Sequence, residues 1–311
     1  MTVRPQADLT RATGDLRSEV VHHSVVDAER VVELVGALHG VELTLEGRCP
    51  GGEVGAYFAR SADGGRLVFK WSQRPEMFPV LVDLVEVLGR LHDDGYPLPR
   101  YGPVLAIDGG VFIAQEAVDG VVTDVVTHSL LDRLVECIEM QSGRGGPGGG
   151  ETWGAFVQRT LVEGADGWAL HEPLRQHSAA TRELLDRIEH IGRAVRPAVF
   201  SDDDLMHIDF HHRNVMQTPG GDVRAVIDWE GARGGDRTFD LVTLAFGLTM
   251  ADCEPGVERR LWSTIAAADP ETIVPYVAHM ALRHLDWAIR HHPDDVPTWI
   301  ETSRRHLRTF A

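Results

Sequence analysis

Apolar positions along the first third of the chain change period from helical to alternating and back, and that change predicts its elements. After Asp27, a good helix N-cap, Val31, Val32, Leu34, Val35 and Leu38 predict a helix that Gly40 ends. Residues 1–25 before it read as a loose lead-in. Strand-like stretches follow at 41–45 and 54–59, separated by the loop 46–53. Asp63-Gly64-Gly65 signals a hairpin, and 66–71 reads as the next strand, with Val68 and Lys70 on one face and Leu67, Phe69 and Trp71 on the other. Leu81, Leu84, Val85, Leu88 and Leu91 predict a helix over 77–92, stopped by Asp93-Asp94-Gly95, Pro97 and Pro99. Two short strands, 104–107 and 111–117, meet at Asp108-Gly109-Gly110. Beyond Gly120 the pattern turns helical, with helices predicted over 124–141, 152–163, 179–194, 238–250, 256–267 and 272–291. The low-complexity stretch 143–150 reads as a floppy loop; with no Lys-Ser/Thr after it, it is not a Walker A loop.

This pattern predicts a bilobal α+β fold: residues 1–117 a small antiparallel-sheet lobe, residues 118–311 a mainly helical lobe, with a cleft between them. At 311 residues the chain is long for one core and natural for two lobes. The formal net charge of −17 argues against a nucleic-acid partner and favours a cationic one, or serves solubility alone. Cys49, Cys137 and Cys253 are odd in number and widely spaced, so they suggest neither disulfides nor a zinc site. Free thiols, no signal peptide and no apolar run long enough to cross a bilayer fit a cytoplasmic protein, monomer or homodimer.

The candidate chemistry lies in 205–230. Asp209 is followed five positions later by Asn214, and the apolar run Ala225-Val226-Ile227 ends in Asp228. Phosphoryl transfer needs a carboxylate to orient the attacking hydroxyl, an amide oxygen and a second carboxylate to hold magnesium, and a lysine on the phosphates. Lys70, a charge in an apolar strand, is the candidate lysine.

His207-x-Asp209-x-x-x-x-Asn214 followed by Ile227-Asp228, with Gly235-Asp236-Arg237-Thr238-Phe239-Asp240-Leu241 beyond, resembles the aminoglycoside phosphotransferase and choline kinase group, relatives of the protein kinases. The resemblance covers most of the chain. It implies a small-molecule kinase using ATP or GTP with Mg²⁺: Asp209 as base, Asn214 and Asp228 as magnesium ligands, and Lys70 on the phosphates. It further implies Gly51, Gly52 and Gly55 above the phosphates, and Glu116, Ala117 and Val118 in a hinge that reads the base. Asp240 would tie down the catalytic loop.

The chain departs from the pattern in three ways. Leu84 stands where the lysine's helix glutamate is expected, leaving Asp83, Glu86 or Glu76 to substitute. The loop lacks a clean GxGxxG. Asp-Phe-Gly and Ala-Pro-Glu are absent, which argues against a protein kinase. A cationic antibiotic, an aminoglycoside or a basic cyclic peptide of the capreomycin/viomycin type, is the expected acceptor, held by Asp202, Asp203, Asp204, Glu230, Asp236 and Asp286. The alternatives are a neutral or singly charged metabolite as acceptor, a metallohydrolase built on His211, His212, Asp209 and Asp228, or a kinase-like fold without turnover.

Overall fold

The computed structural model describes residues 28–50, 55–107, 109–147 and 150–310. The expected lead-in 1–25, the Asp27 cap, Gly51 and Gly52, Asp108, and Gly148 and Gly149 of the glycine stretch lie outside the described residues.

Helix α1 (Ala28–His39) is followed by strands β1 (Leu43–Arg48), β2 (Tyr57–Ser61) and β3 (Arg66–Ser72). Helix α2 (Met77–Asp93) leads to β4 (Leu105–Ile107) and β5 (Gly110–Glu116). The five strands form one antiparallel sheet in the order β1-β2-β3-β5-β4. The period-two reading of β3 holds: Phe69 is buried with Val31, Val32 and Val35 of α1 on one sheet face. Lys70, paired in register with Ile113, projects from the other.

The remaining chain is mainly helical, as expected: α3 (His128–Met140), α4 (Trp153–Glu163), α5 (His171–His177), α6 (Ala179–Ala194), α7 (Thr238–Gly247), α8 (Val257–Ile265), α9 (Pro270–His291) and α10 (Val296–Phe310). Helices α5 and α10 were not foreseen. Helix α5 is too short to show a period. In α10 the buried Val296, Trp299, Thr302, Ser303, His306 and Leu307 include polar side chains that mask the stripe. Short strands β6 (Val125–Val126), β7 (Asp204–Met206), β8 (Val215–Gln217), β9 (Val223–Val226), β10 (Arg233–Gly235) and β11 (Asp252–Cys253) lie between the helices. They pair as β10-β7, β11-β6 and β8-β9. The large core joins α2 to the helical part: Leu81, Leu84, Leu88 and Leu91 pack in the same cluster as Leu130, Phe210, Trp229 and Tyr276.

The described part of the glycine stretch is docked, which corrects the floppy-loop reading. The Gly145 amide bonds the Asp203 carbonyl at 2.8 Å and the Gly143 amide bonds Asp204 Oδ1 at 2.8 Å. A Cβ on Gly146 would run into the backbone of Arg233 and Gly234, so glycine here permits close approach rather than flexibility.

Among the described residues no helix is long and apolar enough to cross a membrane. Two histidines are packed among aromatic rings. His279 lies among the rings of Trp153, Phe156, Trp168 and Phe239, and His284 stacks on Phe246 and Trp299. Burial pulls the pKa of each down to about 3. Each binds a proton more weakly in the folded than in the unfolded chain. Stability therefore falls as the pH drops from about 6.5 toward 3. Urea unfolding at pH 5 and pH 8 should show the wild type weaker at pH 5 and His279→Leu losing less between the two; equal losses would remove His279 from the account.

Candidate active site

The catalytic-loop candidate runs from the end of β7 into a short 3-10 turn, His212–Asn214. Ile208, a β-branched residue, sits in left-handed backbone at φ 61°, and so does Asp228 at φ 73°. Such conformations cost about 1–3 kcal/mol each and persist only where the surroundings enforce them. At Ile208 the enforcing group is Asp240. This fully buried carboxylate accepts hydrogen bonds from the His207 amide (2.7 Å), the Ile208 amide (2.9 Å) and the Gln141 side chain (2.9 Å). Burial pushes its pKa up to about 7, against the pull of those donors.

His207 cross-links the loop to the strand that carries Asp228. Its Nε2 lies 2.8 Å from the Ile227 carbonyl, and its Nδ1 accepts the Asp209 amide at 3.3 Å. Those partners suit a neutral ring protonated on Nε2, and burial lowers its pKa accordingly. The Ile227 amide in turn bonds the Asn214 carbonyl at 2.9 Å. Asp209, Asn214 and Asp228 thus belong to one hydrogen-bonded unit. Asn214 Nδ2 donates to the Asp209 carbonyl at 2.9 Å, which leaves its amide oxygen as the atom to meet a cation. An amide oxygen and the Asp228 carboxylate are the hard oxygen donors that could hold Mg²⁺.

Lys70 reaches across from β3. Its Nζ pairs with Asp228 and with Glu230 Oε2, the latter at 2.8 Å. Burial opposes its charge, but the Glu230 and Asp228 carboxylates outweigh burial and hold the ammonium protonated. Burial likewise works against ionised Asp228, and Lys70 overcomes it. Glu230, the more deeply placed acid, is pushed up by burial beside Asp228. This answers which acid pairs with the lysine: Leu84 is buried, Glu76 pairs with Arg74, and Asp83 and Glu86 are exposed on α2. It also moves Glu230 from the acceptor side to the lysine.

Each of the remaining expected acceptor acids has a partner within the protein. Asp202 Oδ1 accepts the Trp153 amide at 2.6 Å at the start of α4. Asp203 bonds Ser201, and its carbonyl takes Gly145. Asp204 is buried and accepts Gly143 and Arg237. Asp236 accepts the Tyr276 hydroxyl at 3.0 Å and the Thr238 amide at 2.9 Å. Asp286 is fully buried and gripped at both oxygens by Arg290, at 2.7 and 2.6 Å. Asp202, Asp204 and Asp236 bond groups at helix starts and strand joints, and buried Asp204 and Asp286 have no face to offer an acceptor, whereas Asp202 and Asp203 are exposed.

In the expected hinge the Glu116 and Ala117 amides are taken by the carbonyls of Arg100 and Arg66, both at 2.9 Å. A base would have to use the carbonyls of the segment or the Val118 amide. Gly55 stands just before β2, partly exposed. Among the described residues no three His, Cys, Asp or Glu side chains stand together as metal ligands, so the hydrolase arrangement of His211, His212, Asp209 and Asp228 is not formed. Sequence reasoning missed Gln141 and Arg283. Arg283 donates to Asp209 Oδ1 at 2.7 Å, and no local spacing links the two. Burial would raise the Asp209 pKa, but the Arg283 guanidinium overrides it and keeps the carboxyl ionised well below the usual range.

Residues 48–270 match the sequence profile of the phosphotransferase enzyme family, APH. The chain belongs to that family and is a phosphotransferase acting on hydroxyl groups. No curated protein sequence matches it. The structure of aminoglycoside phosphotransferase APH(4)-Ia is similar at a TM-score of 0.63 and 18% identity, covering 91% of this chain and 98% of that one. A thermostable mutant of the same protein, in a ternary complex with ADP and hygromycin B, is similar at 0.61 and 17% identity, covering 90% and 98%. Spectinomycin phosphotransferase APH(9)-Ia, in complex with ADP and spectinomycin, is similar at 0.54 and 14% identity, covering 91% and 92%. At these identities the likenesses establish the kinase-like fold.

If Glu230 keeps Lys70 in place, losing either should weaken nucleotide binding by a similar factor, on the order of 10-fold. The double variant Lys70→Met with Glu230→Gln should bind no worse than Lys70→Met alone by calorimetry. Additive losses would show that the glutamate acts elsewhere.

Proposed function

We propose that the chain transfers the γ-phosphate of ATP to a hydroxyl of a small polar antibiotic, and so confers resistance to it. The observation that carries this reading is the convergence of Asp209, Asn214 and Asp228 on one hydrogen-bonded loop, with Lys70 reaching Asp228 from the opposite sheet. Residues 1–117 form the nucleotide-binding lobe and residues 118–311 the acceptor-binding lobe. The nucleotide lies in the cleft between the lobes, with its base against residues 116–118.

Asp209 accepts the proton of the acceptor hydroxyl as its oxygen forms a bond to the γ-phosphorus. The bond to the β-phosphate oxygen breaks and ADP leaves. Lys70 neutralises phosphate charge, and Glu230 keeps it there once Asp228 is engaged. Asn214 and Asp228 would hold Mg²⁺, which would offset phosphate charge when bound.

The acceptor class is drawn from two sources. Structurally similar proteins are seen with hygromycin B and spectinomycin, and the net charge of −17 attracts a polycation at long range. Of the acidic run 202–204, Asp204 is buried against Gly143 and Arg237, while the exposed Asp202 and Asp203 can meet a cationic acceptor. A basic cyclic peptide of the capreomycin/viomycin type remains within the class, as does GTP as donor. The site of action is the cytoplasm.

A panel of aminoglycosides, cyclic peptides, choline, homoserine and simple sugars, tested with magnesium and either nucleotide at low and high salt, tests the reading. Turnover of a cationic antibiotic that declines with salt is expected; turnover confined to an uncharged acceptor would overturn the acceptor class. Asp209→Asn should lower kcat on the order of 10²–10⁴-fold with nucleotide affinity unchanged. Asp228→Ala should abolish the magnesium dependence of nucleotide binding; intact dependence would place the metal elsewhere.

A further inference from the structure

Asp209 is held from a helix 74 residues away in sequence. Arg283, on α9, sends Nη2 to Asp209 Oδ1 at 2.7 Å and Nη1 to the Ile208 carbonyl at 2.6 Å. The strained residue Ile208 is therefore pinned from both sides, its amide by Asp240 and its carbonyl by Arg283. The guanidinium is itself supported: its carbon lies 5.4 Å from the ring centroid of Trp168, in the connection between α4 and α5. That connection is tied back to α9 by Arg290, which reaches the Gly167 carbonyl at 3.4 Å. The second carboxylate oxygen, Asp209 Oδ2, faces His211 Nε2 at 3.7 Å, too far for a hydrogen bond.

We propose that Arg283 is the positioning residue of the catalytic loop: its two-pronged grip occupies Asp209 Oδ1 and presents Oδ2 to the acceptor hydroxyl. A planar guanidinium can span a carbonyl and a carboxylate on adjacent residues in one fixed geometry. A lysine ammonium at that point is a single flexible charge and cannot hold both. The grip acts on the orientation of the base and not on the nucleotide, so its loss falls on kcat. The proposal rests on Asp209 being the base, and the experiment separates the two.

Wild type, Asp209→Asn, Arg283→Ala, Arg283→Lys and Arg283→Gln are compared by steady-state kinetics on the acceptor that the wild type phosphorylates, with thermal melts to establish the folded fraction. Arg283→Ala should lose kcat on the order of 10–100-fold while KM for ATP is unchanged. Arg283→Lys should recover little of it. Millimolar methylguanidinium should restore part of the kcat of Arg283→Ala and none of that of Asp209→Asn. Should Arg283→Ala not fold, Arg283→Gln, which keeps a neutral donor, carries the comparison. Wild-type kcat in a folded Arg283 variant overturns the proposal. So does a loss that follows the folded fraction alone and resists rescue. Wild-type kcat in folded Asp209→Asn overturns the reading of Asp209 instead.

Discussion

The site depends on one buried carboxylate. Asp240 lies at the start of α7, fully enclosed, and spends both oxygens on the amides of His207 and Ile208 and on Gln141. An unpaired carboxylate there would be costly; with three N–H donors it becomes a peg on which the loop before Asp209 is hung. The left-handed turn at Ile208 is affordable only because that peg holds it. From it follow the direction of Asp209, the link through His207 to the strand ending in Asp228, and the contact of Asn214 with the Asp209 carbonyl.

A second constraint runs between the sheet and the helical part. Lys70 crosses from β3 to meet two carboxylates that lie two residues apart, Asp228 and Glu230. Placing both acids after β9 concentrates charge where the phosphates would lie. Helix α2 is released from supplying a glutamate, and Leu84 is buried in the core instead. Leu84 packs in the core, and the ionic partner of Lys70 is Glu230 after β9.

Local pattern was enough for most elements. Strand alternation in Arg66–Ser72 put Lys70 opposite Phe69, and the helical period in α2 and α6 survived packing because one face of each meets the core. The loop from His207 to Asn214 was legible because its residues act on one another within a few positions. Capping and ion-pair roles of Asp202, Asp204 and Asp236 were not legible. A carboxylate that caps a helix and one that waits for a ligand look alike until the distant donor is known.

The sequence by itself determined most of the elements, the α+β fold class and the resemblance to the phosphotransferase family, since these depend on short-range period and spacing. Only the tertiary structure decided which charges meet. Lys70 with Glu230 and Arg283 with Asp209 are chosen by how β3, α9 and the loop 207–214 pack. An acid becomes structural or functional according to the cation that packing brings within hydrogen-bond reach, because a buried charge is tolerable only with a partner.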